Sequence, residues 1–251
     1  RDRQRLWTAV MAAARDHGLQ AILAGQADQA RDWLNIRDYS RASHDTGAAL
    51  AVKALAAGQL EPQAAHDIVQ AELLTVAASE LRLALSRATE DAGAGHTVQY
   101  AGDLGRAEGL VAYLGENLNS RLGAENVAAL QRDLARAEHD PTAIAAISQR
   151  IAGYAPVVLS PEETLRRARL LRRFTAMVWE EYANGVRDGQ ITQHMEYNEA
   201  LMFRDRAVLL LGDLAPQMGK PADAQRLAQL LDDSKALMEQ RKDGVEPLIT
   251  E

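Results

Sequence analysis

The residues best suited to chemistry are three glutamates in the stretch from Phe174 to Ala207. Each residue of a helix advances by about 100°, which places Glu181 on the same face as the apolar Val178. Glu196 and Glu199 fall in the same way within the apolar stripe of the helix that follows. Burying an ionised carboxylate is costly, so each of these side chains needs an arginine, a hydrogen-bond donor, a proton or a metal ion.

Two glycine-containing pairs divide this stretch into two helices. The breaks are Asn184-Gly185 and Asp188-Gly189. If the two helices form an antiparallel hairpin, Glu181 lies shortly before the loop, and the other two glutamates follow within two turns after it. We therefore expect the three carboxylates to converge at the mouth of the hairpin, with Asp188 and His194 as additional donors.

Two interpretations of this cluster remain open. Carboxylate oxygens on facing helices are typical ligands of hard cations such as iron, manganese, calcium or magnesium. The Glu-x-x-His partner of di-iron helical bundles does not occur in this chain, and the nearest histidine is His194. The alternative is a buried ion-pair network with Arg172, Arg187 or Arg204. The pattern alone favours the ion-pair interpretation.

Composition predicts an all-α protein. Of 251 residues, 47% are hydrophobic and only 4% aromatic, and alanine and leucine dominate while β-branched runs are almost absent. We predict a multi-helix bundle of about nine or ten helices with no sheet. A proline-containing linker near Ala155 divides the chain into an N-terminal bundle, residues 1–155, and a region carrying the acidic cluster, residues 156–251, unless the two form one continuous domain.

Charge and cysteine content exclude several classes of function. The net charge of −7 argues against nucleic acid or an anionic membrane surface as the main partner. The absence of cysteine excludes disulfides, thiolate zinc sites and cysteine nucleophiles. No apolar run of about 18 residues occurs. Because the chain begins at Arg1 rather than Met, we expect that a signal sequence or membrane anchor has been removed.

Local signals in the first half place several helix boundaries. A first helix is predicted to stop at Gly18, and Thr46 or Asp45 to cap a later one. Glu61-Pro62 begins what we expect to be the longest helix, which reaches about Ala92. The loop at residues 40–45 is either a solvated connection or a functional rim containing Arg37, Arg41 and His44.

In the second half of the chain, most of the sequence signals for helix boundaries are helix caps. Residues 100–122 predict a helix whose glycines permit close packing against a neighbour. Asp140-Pro141 and Ser160-Pro161 each combine a cap with a first-position proline, and the latter opens a Ser-x-x-Glu capping box. The last helix runs from about Pro221 to Lys242, and residues 243–251 are predicted to form a frayed tail or a connector. Apolar stripes predict burial of Trp7, Trp33, Phe174, Phe203 and Leu210.

Four segments resemble a known family. RDWLNIRDYSRAS, ALAVKALAAGQL, EEYANGVRDGQIT and EYNEALMFRDRA are similar to the helical N-terminal extracytoplasmic region of bacterial high-affinity iron permeases. Glu181-Tyr182, Gly185 to Gly189 and Glu196 to Ala200 match that family's Glu-Tyr, Gly-Val-Arg-Asp-Gly and Glu-x-x-Glu-Ala positions. The resemblance covers about residues 29–214. The family's transmembrane Arg-Glu-x-x-Glu motif for iron passage is absent, which implies a part that does not itself translocate iron.

We therefore expect a periplasmic or otherwise extracytoplasmic domain, tethered to the membrane in the full-length protein. It would bind iron, ferrous or ferric, or another divalent cation through Glu181, Glu196 and Glu199, helped by Asp188 or His194, and deliver it to a membrane permease. The alternative is a metal-free interaction or structural module, whose partner is another protein or the permease core. A ferroxidase-type enzyme would need an open redox site with histidine ligands near the cluster. No catalytic residue is assigned.

Overall fold

The computed structural model describes residues 1–36 and 46–250. The chain divides into two units, Arg1–Val157 and Val158–Glu251. Both units are helical, which confirms the predicted all-α class, although the described residues form twelve α-helices rather than nine or ten. The predicted loop at residues 40–45, with Arg37, Arg41 and His44, lies outside the described residues.

The first unit is organised around one long helix. Its described helices are α1 (Asp2–Leu23), α2 (Ala27–Leu34), α3 (Gly47–Ala56), α4 (Pro62–Ala94), α5 (Thr97–Tyr113), α6 (Gly115–Leu122), α7 (Ala124–Ala137) and α8 (Ala143–Ile151). At 33 residues, α4 is the longest described helix, as predicted. Its first half shares a core with α1–α3 around Ile22 and Val52. Its second half shares another with α5–α8 around Leu85 and Leu130.

Three glycines within the helices of this unit make room for a neighbouring helix, whereas others, such as Gly95 with φ of 74° after α4, end a helix. The predicted stop at Gly18 is wrong, because α1 continues to Leu23. A Cβ at Gly18 would lie 2.5 Å from Cγ of Leu34, so the glycine makes room for that side chain. On α5, Gly105 contacts the backbone of Arg1, and Gly109 contacts Thr8. The predicted close packing is thereby confirmed for Gly105 and Gly109, whereas a Cβ at Gly102 would meet nothing within 4 Å.

Two predicted helices of the first unit have different boundaries. The helix expected over residues 100–122 is broken at Leu114, where α5 ends and α6 begins with Gly115, a poor helix former. The helix expected from Pro141 begins at Ala143. Oδ1 of Asp140 accepts a hydrogen bond from the Thr142 N–H at 3.1 Å, which holds the proline in a turn before the helix. By contrast, Oγ1 of Thr46 caps α3 as expected, at 3.2 Å from the Ala49 nitrogen.

The predicted burial of two tryptophans is wrong. Trp7 is 58% exposed and Trp33 is 49% exposed. On α1, the residue that faces α5 is the neighbouring Thr8, so Trp7 points to solvent. The Trp33 ring stacks on His17 at 4.7 Å between centroids, which covers only part of it.

The second unit is a small helical bundle. It contains α9 (Pro161–Gly185), β1 (Val186–Arg187), β2 (Gln190–Ile191), α10 (His194–Leu214), α11 (Pro221–Glu239) and α12 (Val245–Thr250). The prediction of no sheet is wrong only for the short pair β1–β2. The prediction of a frayed tail is also wrong, because α12 forms there and Val245 is fully buried with Met238. Phe174, Phe203 and Leu210 are only partly buried, and the two phenylalanine rings stack at 5.8 Å.

Candidate functional site

The two helices that carry the glutamates form a hairpin closed by a tight turn. Oγ of Ser160 accepts a hydrogen bond from the Glu163 N–H at 3.1 Å and so caps the start of α9, as its capping-box sequence predicts. At the other end of α9, Val186 pairs with Ile191, and Arg187 with Gln190. Asp188 and Gly189 form the turn, with φ of 51° and 70°. Positive φ at both positions is typical of an Asp-Gly type I′ turn, which matches the twist of paired strands.

Gly185 brings the hairpin helices together at this end. Its carbonyl accepts hydrogen bonds from the Thr192 and Gln193 nitrogens, at 2.9 and 3.1 Å. A Cβ at this position would lie 2.6 Å from the Tyr197 nitrogen, closer than side chains approach a backbone atom. At the far end of the hairpin Arg167 pairs with Asp213. The helices are therefore antiparallel and pinned at both ends.

Two tyrosines anchor the mouth of the hairpin to the end of α11. The Tyr182 hydroxyl donates to the Lys242 carbonyl at 2.9 Å, and the Tyr197 hydroxyl approaches the Met238 carbonyl at 3.5 Å. Burial raises the pKa of Tyr182 above its usual range. Trp179 is partly buried, and its ring lies 6.4 Å from that of Tyr182. Aromatic side chains thus form a fixed base beside the glutamates.

Glu181, Glu196 and Glu199 lie at this end of the hairpin, and each is partly buried. The pKa of Glu181 is raised, first by burial and then by the negative charges of Glu199, Glu180 and Glu196 in that order. Only carboxylates that lie near one another can shift a pKa in this way. The structure therefore places four carboxylates from two helices within electrostatic reach.

The other expected donors take a lesser part. Asp188 and His194 are exposed, and neither is among the charges that shift the pKa of Glu181. Glu180 was not predicted from the sequence, because its helical position points outward. The sequence signal for Glu180 is its position next to Glu181. Adjacent carboxylates both contribute to the local electrostatic potential, even when their side chains point in different directions.

The ion-pair interpretation of the cluster does not hold. Arg204 is buried, but it donates from Nε to the Leu231 carbonyl at 3.0 Å and pairs with Asp205 and Asp232. Within residues 1–36 and 46–250, no arginine or lysine forms an ion pair with Glu181, Glu196 or Glu199; Arg172 and Arg187 form none either. The negative charges of Glu196 and Glu199 therefore act on Glu181 without a compensating ion pair from the described part of the chain.

The carboxylates are not arranged as a preformed metal cage. Among the described residues, no group of three histidine, aspartate or glutamate side chains is placed so that it could hold a metal ion. Glutamate has three rotatable side-chain bonds, and interface side chains commonly change rotamer on binding. Coordination at this end of the hairpin would therefore require the glutamates to reorient.

Comparison with known proteins covers nearly the whole chain. Residues 1–153 match the family described as the iron permease FTR1 N-terminal domain, and residues 160–249 match the iron permease-associated 4-helix bundle domain. No curated protein and no solved structure matches the chain. In the part of the chain that the structure describes, no helix combines the length and apolar character of a membrane span. The first match alone spans more than half of the sequence, and the chain belongs to the FTR1 iron permease family.

Proposed function

We propose that the second unit binds iron reversibly through Glu181, Glu196 and Glu199 and passes it to a membrane permease. Membership of an iron permease family supports a role related to iron transport. One observation carries the proposal of iron binding. Carboxylates of α9 and α10 raise the pKa of Glu181, and these carboxylates form no ion pair within the described residues. A cation bound among them would relieve their mutual repulsion.

The donor set suits a hard cation. Carboxylate oxygens favour ferric iron, calcium, magnesium and manganese over soft metals, and the chain has no cysteine to supply thiolate. Asp188 in the turn and His194 at the first position of α10 are the further donors that we propose, since both belong to the same end of the hairpin. Because the carboxylates are partly exposed and must reorient, the site suits rapid uptake and release rather than storage.

The proposed partner is the membrane-embedded core of an iron permease, and the proposed location is outside the cytoplasm. The family match supports a membrane transport partner. In this arrangement iron reaches the bundle from the extracytoplasmic side, and the permease accepts it from the glutamates. The chain would be held near the membrane in the full-length protein.

Metal titration of the metal-stripped chain tests the proposal. Ferrous iron, and ferric iron supplied as its nitrilotriacetate complex, are titrated with elemental analysis of the product, with calcium and magnesium as competitors. A ligand that binds only the folded state stabilises it by about 2.7 kcal/mol at a hundredfold excess over the dissociation constant, so iron should raise the melting temperature. Affinity should fall in acid, because ligating carboxylates must lose their protons.

Single substitutions locate the site. Glu196→Gln and Glu199→Gln should each abolish the iron-dependent rise in melting temperature. Glu162→Gln is the matched control, because Glu162 is an exposed glutamate in the first turn of the same hairpin, at the opposite end. It should retain the full effect of iron. Without metal, neither site variant should be less stable than the wild type, since no ion pair within the described residues is lost.

A metal-free interaction module is the second candidate. It is favoured by the lack, within the described residues, of a group with metal-holding geometry. In that case the carboxylates would serve only as an acidic surface for a protein partner. Melting curves that are the same with and without iron, in the wild type and in both site variants, would support this candidate and contradict iron binding.

A further inference from the structure

The charges of the α9–α10 hairpin are segregated along its length. Residues 164–179 contain five arginines and no acidic residue, whereas residues 180–199 contain five acidic residues and a single arginine. The net charge of the whole chain, −7, conceals this local division. The acidic segment includes the glutamates described above, and the basic segment has no assigned role.

Two of the five arginines are neutralised within the unit. Arg167 is buried and pairs with Glu163 and Asp213. Arg166 makes two hydrogen bonds to the Glu163 carboxylate, both 2.7 Å long. These arginines have a structural role that explains their presence.

The other three arginines form an exposed surface. Arg169, Arg172 and Arg173 are spaced by three and four residues, so they share one side of α9, and all three are exposed. We call these three residues the arginine face. Within the described residues, none of the three has an acidic partner within 4.0 Å.

We propose that the arginine face docks on the anionic phospholipid headgroups of a membrane. Guanidinium groups bind phosphate through two parallel hydrogen bonds, which makes arginine better suited to this contact than a point charge. Leu165, 51% exposed, lies on the same side of α9 as Arg169 and Arg172. An apolar side chain among arginines suits the boundary between headgroups and acyl chains better than a hydrated acidic peptide. Membership of a permease family places a bilayer within reach of the chain.

Docking in this way would leave the acidic end of the hairpin accessible. Arg173 is the member of the arginine face nearest to Glu181 in sequence, eight residues away and about 12 Å along the helix at its standard rise per residue. At 100° per residue, Glu181 also points about 120° away from Arg169 and about 180° away from Arg172 around α9. A bilayer that contacts the arginine face would therefore lie on a different side of α9 from Glu181, so docking would set the orientation of the unit. The proposal does not depend on iron binding.

Vesicle binding by the full chain tests the proposal. Co-sedimentation is measured with vesicles of phosphatidylcholine alone and of phosphatidylcholine mixed with phosphatidylglycerol, at low and at high salt. The chain should bind only the mixed vesicles and should dissociate from them at high salt. Each arginine near an anionic bilayer strengthens partitioning by about fivefold, so Arg172→Gln with Arg173→Gln should weaken it by roughly 25-fold.

A double variant with the same loss of charge is the control. Arg3 and Arg132 are exposed arginines of the first unit, and Arg3→Gln with Arg132→Gln should bind the mixed vesicles as the wild type does. Circular dichroism melting confirms that both variants remain folded. Three results would each overturn the proposal: no binding to anionic vesicles at low salt, an equal loss of binding in the two double variants, or binding unchanged by Arg172→Gln with Arg173→Gln. Capture of soluble polyglutamate by the arginine face without vesicle binding would overturn it as well, in favour of an acidic protein partner.

Discussion

Replacing Gly185 with alanine tests how the hairpin holds its glutamates together. Gly185 does not have a positive φ, so its backbone conformation is open to any residue. What requires glycine is space. A Cβ would lie 2.6 Å from the Tyr197 nitrogen, 3.0 Å from the Tyr197 Cα and 3.2 Å from the Gln193 carbonyl oxygen. All three are backbone atoms at the start of α10, and a change of side-chain rotamer cannot move them.

The cost follows from that displacement. Non-bonded heavy atoms are at their optimum about 3.5–4.0 Å apart, so the two helices must separate by about 1 Å. Overpacking of this kind costs about 1–3 kcal/mol, and alanine recovers up to about 1 kcal/mol of helix propensity. We therefore expect the free energy of unfolding to fall by about 1–2 kcal/mol. The same shift moves Glu196 and Glu199 away from Glu181, so iron affinity should fall too.

Native-state hydrogen exchange measures this loss where it occurs. Peptides from α9 and α10 of the Gly185→Ala variant should exchange faster, while peptides of the first unit keep their protection. Gly102→Ala is the control, because Gly102 lies within α5 and an added Cβ would meet nothing within 4 Å. The free energy of unfolding of that variant should exceed that of the wild type by about 0.5–1 kcal/mol. If Gly185→Ala is as stable as the wild type, the close approach does not constrain the hairpin and the reasoning is refuted.

Two further predictions concern charged side chains of the second unit. The pKa of Glu181 is raised above its ordinary value of 4.5, so its stabilising contribution is complete below that pH and is lost as the pH rises through the folded-state value. Glu181→Gln should remove this decline in unfolding free energy and should be more stable than the wild type at neutral pH. Urea unfolding at low salt across a pH series measures both effects. A steeper decline in the variant would contradict the raised pKa of Glu181. Arg167→Met should destabilise the unit by about 3–5 kcal/mol, because Asp213 stays buried without its Arg167 partner. Arg204→Met should destabilise the unit less, by about 1–3 kcal/mol, because its partner Asp232 is exposed and can be hydrated. The two variants are compared by their urea midpoints, and a lower midpoint for Arg204→Met than for Arg167→Met would refute the comparison.

Helix class and several helix starts could be predicted from the sequence because their causes are local. The Ser160 cap, the Thr46 cap and the proline that opens α4 act within one turn of helix. The Asp188-Gly189 pair also carries a local signal, since both residues adopt positive φ. The sequence does not predict that this pair forms a β-turn between two short strands, because strands of two residues have no detectable periodicity.

Burial could not be predicted in the same way, because a helical stripe does not specify which neighbour covers it. Trp7 and Trp33 lie on apolar stripes and are nevertheless exposed, whereas the small Gly18 and Gly109 occupy the positions where helices meet. Close packing selects residues by the space between two backbones, which is a property of the pair of helices. Val245 was assigned to a tail for the same reason, since the cavity that receives it belongs to other helices.

The sequence by itself determined which helices carry Glu181, Glu196 and Glu199, because the spacing and the glycine breaks are local. Only the tertiary structure decided what surrounds them. Arg204 is sequestered by Asp232 and the Leu231 carbonyl on α11, so it is not available to the glutamates. Glu180 instead adds its negative charge to the group. The choice of partner for a charged side chain depends on distances between helices far apart in sequence, and these exist only once the bundle has formed.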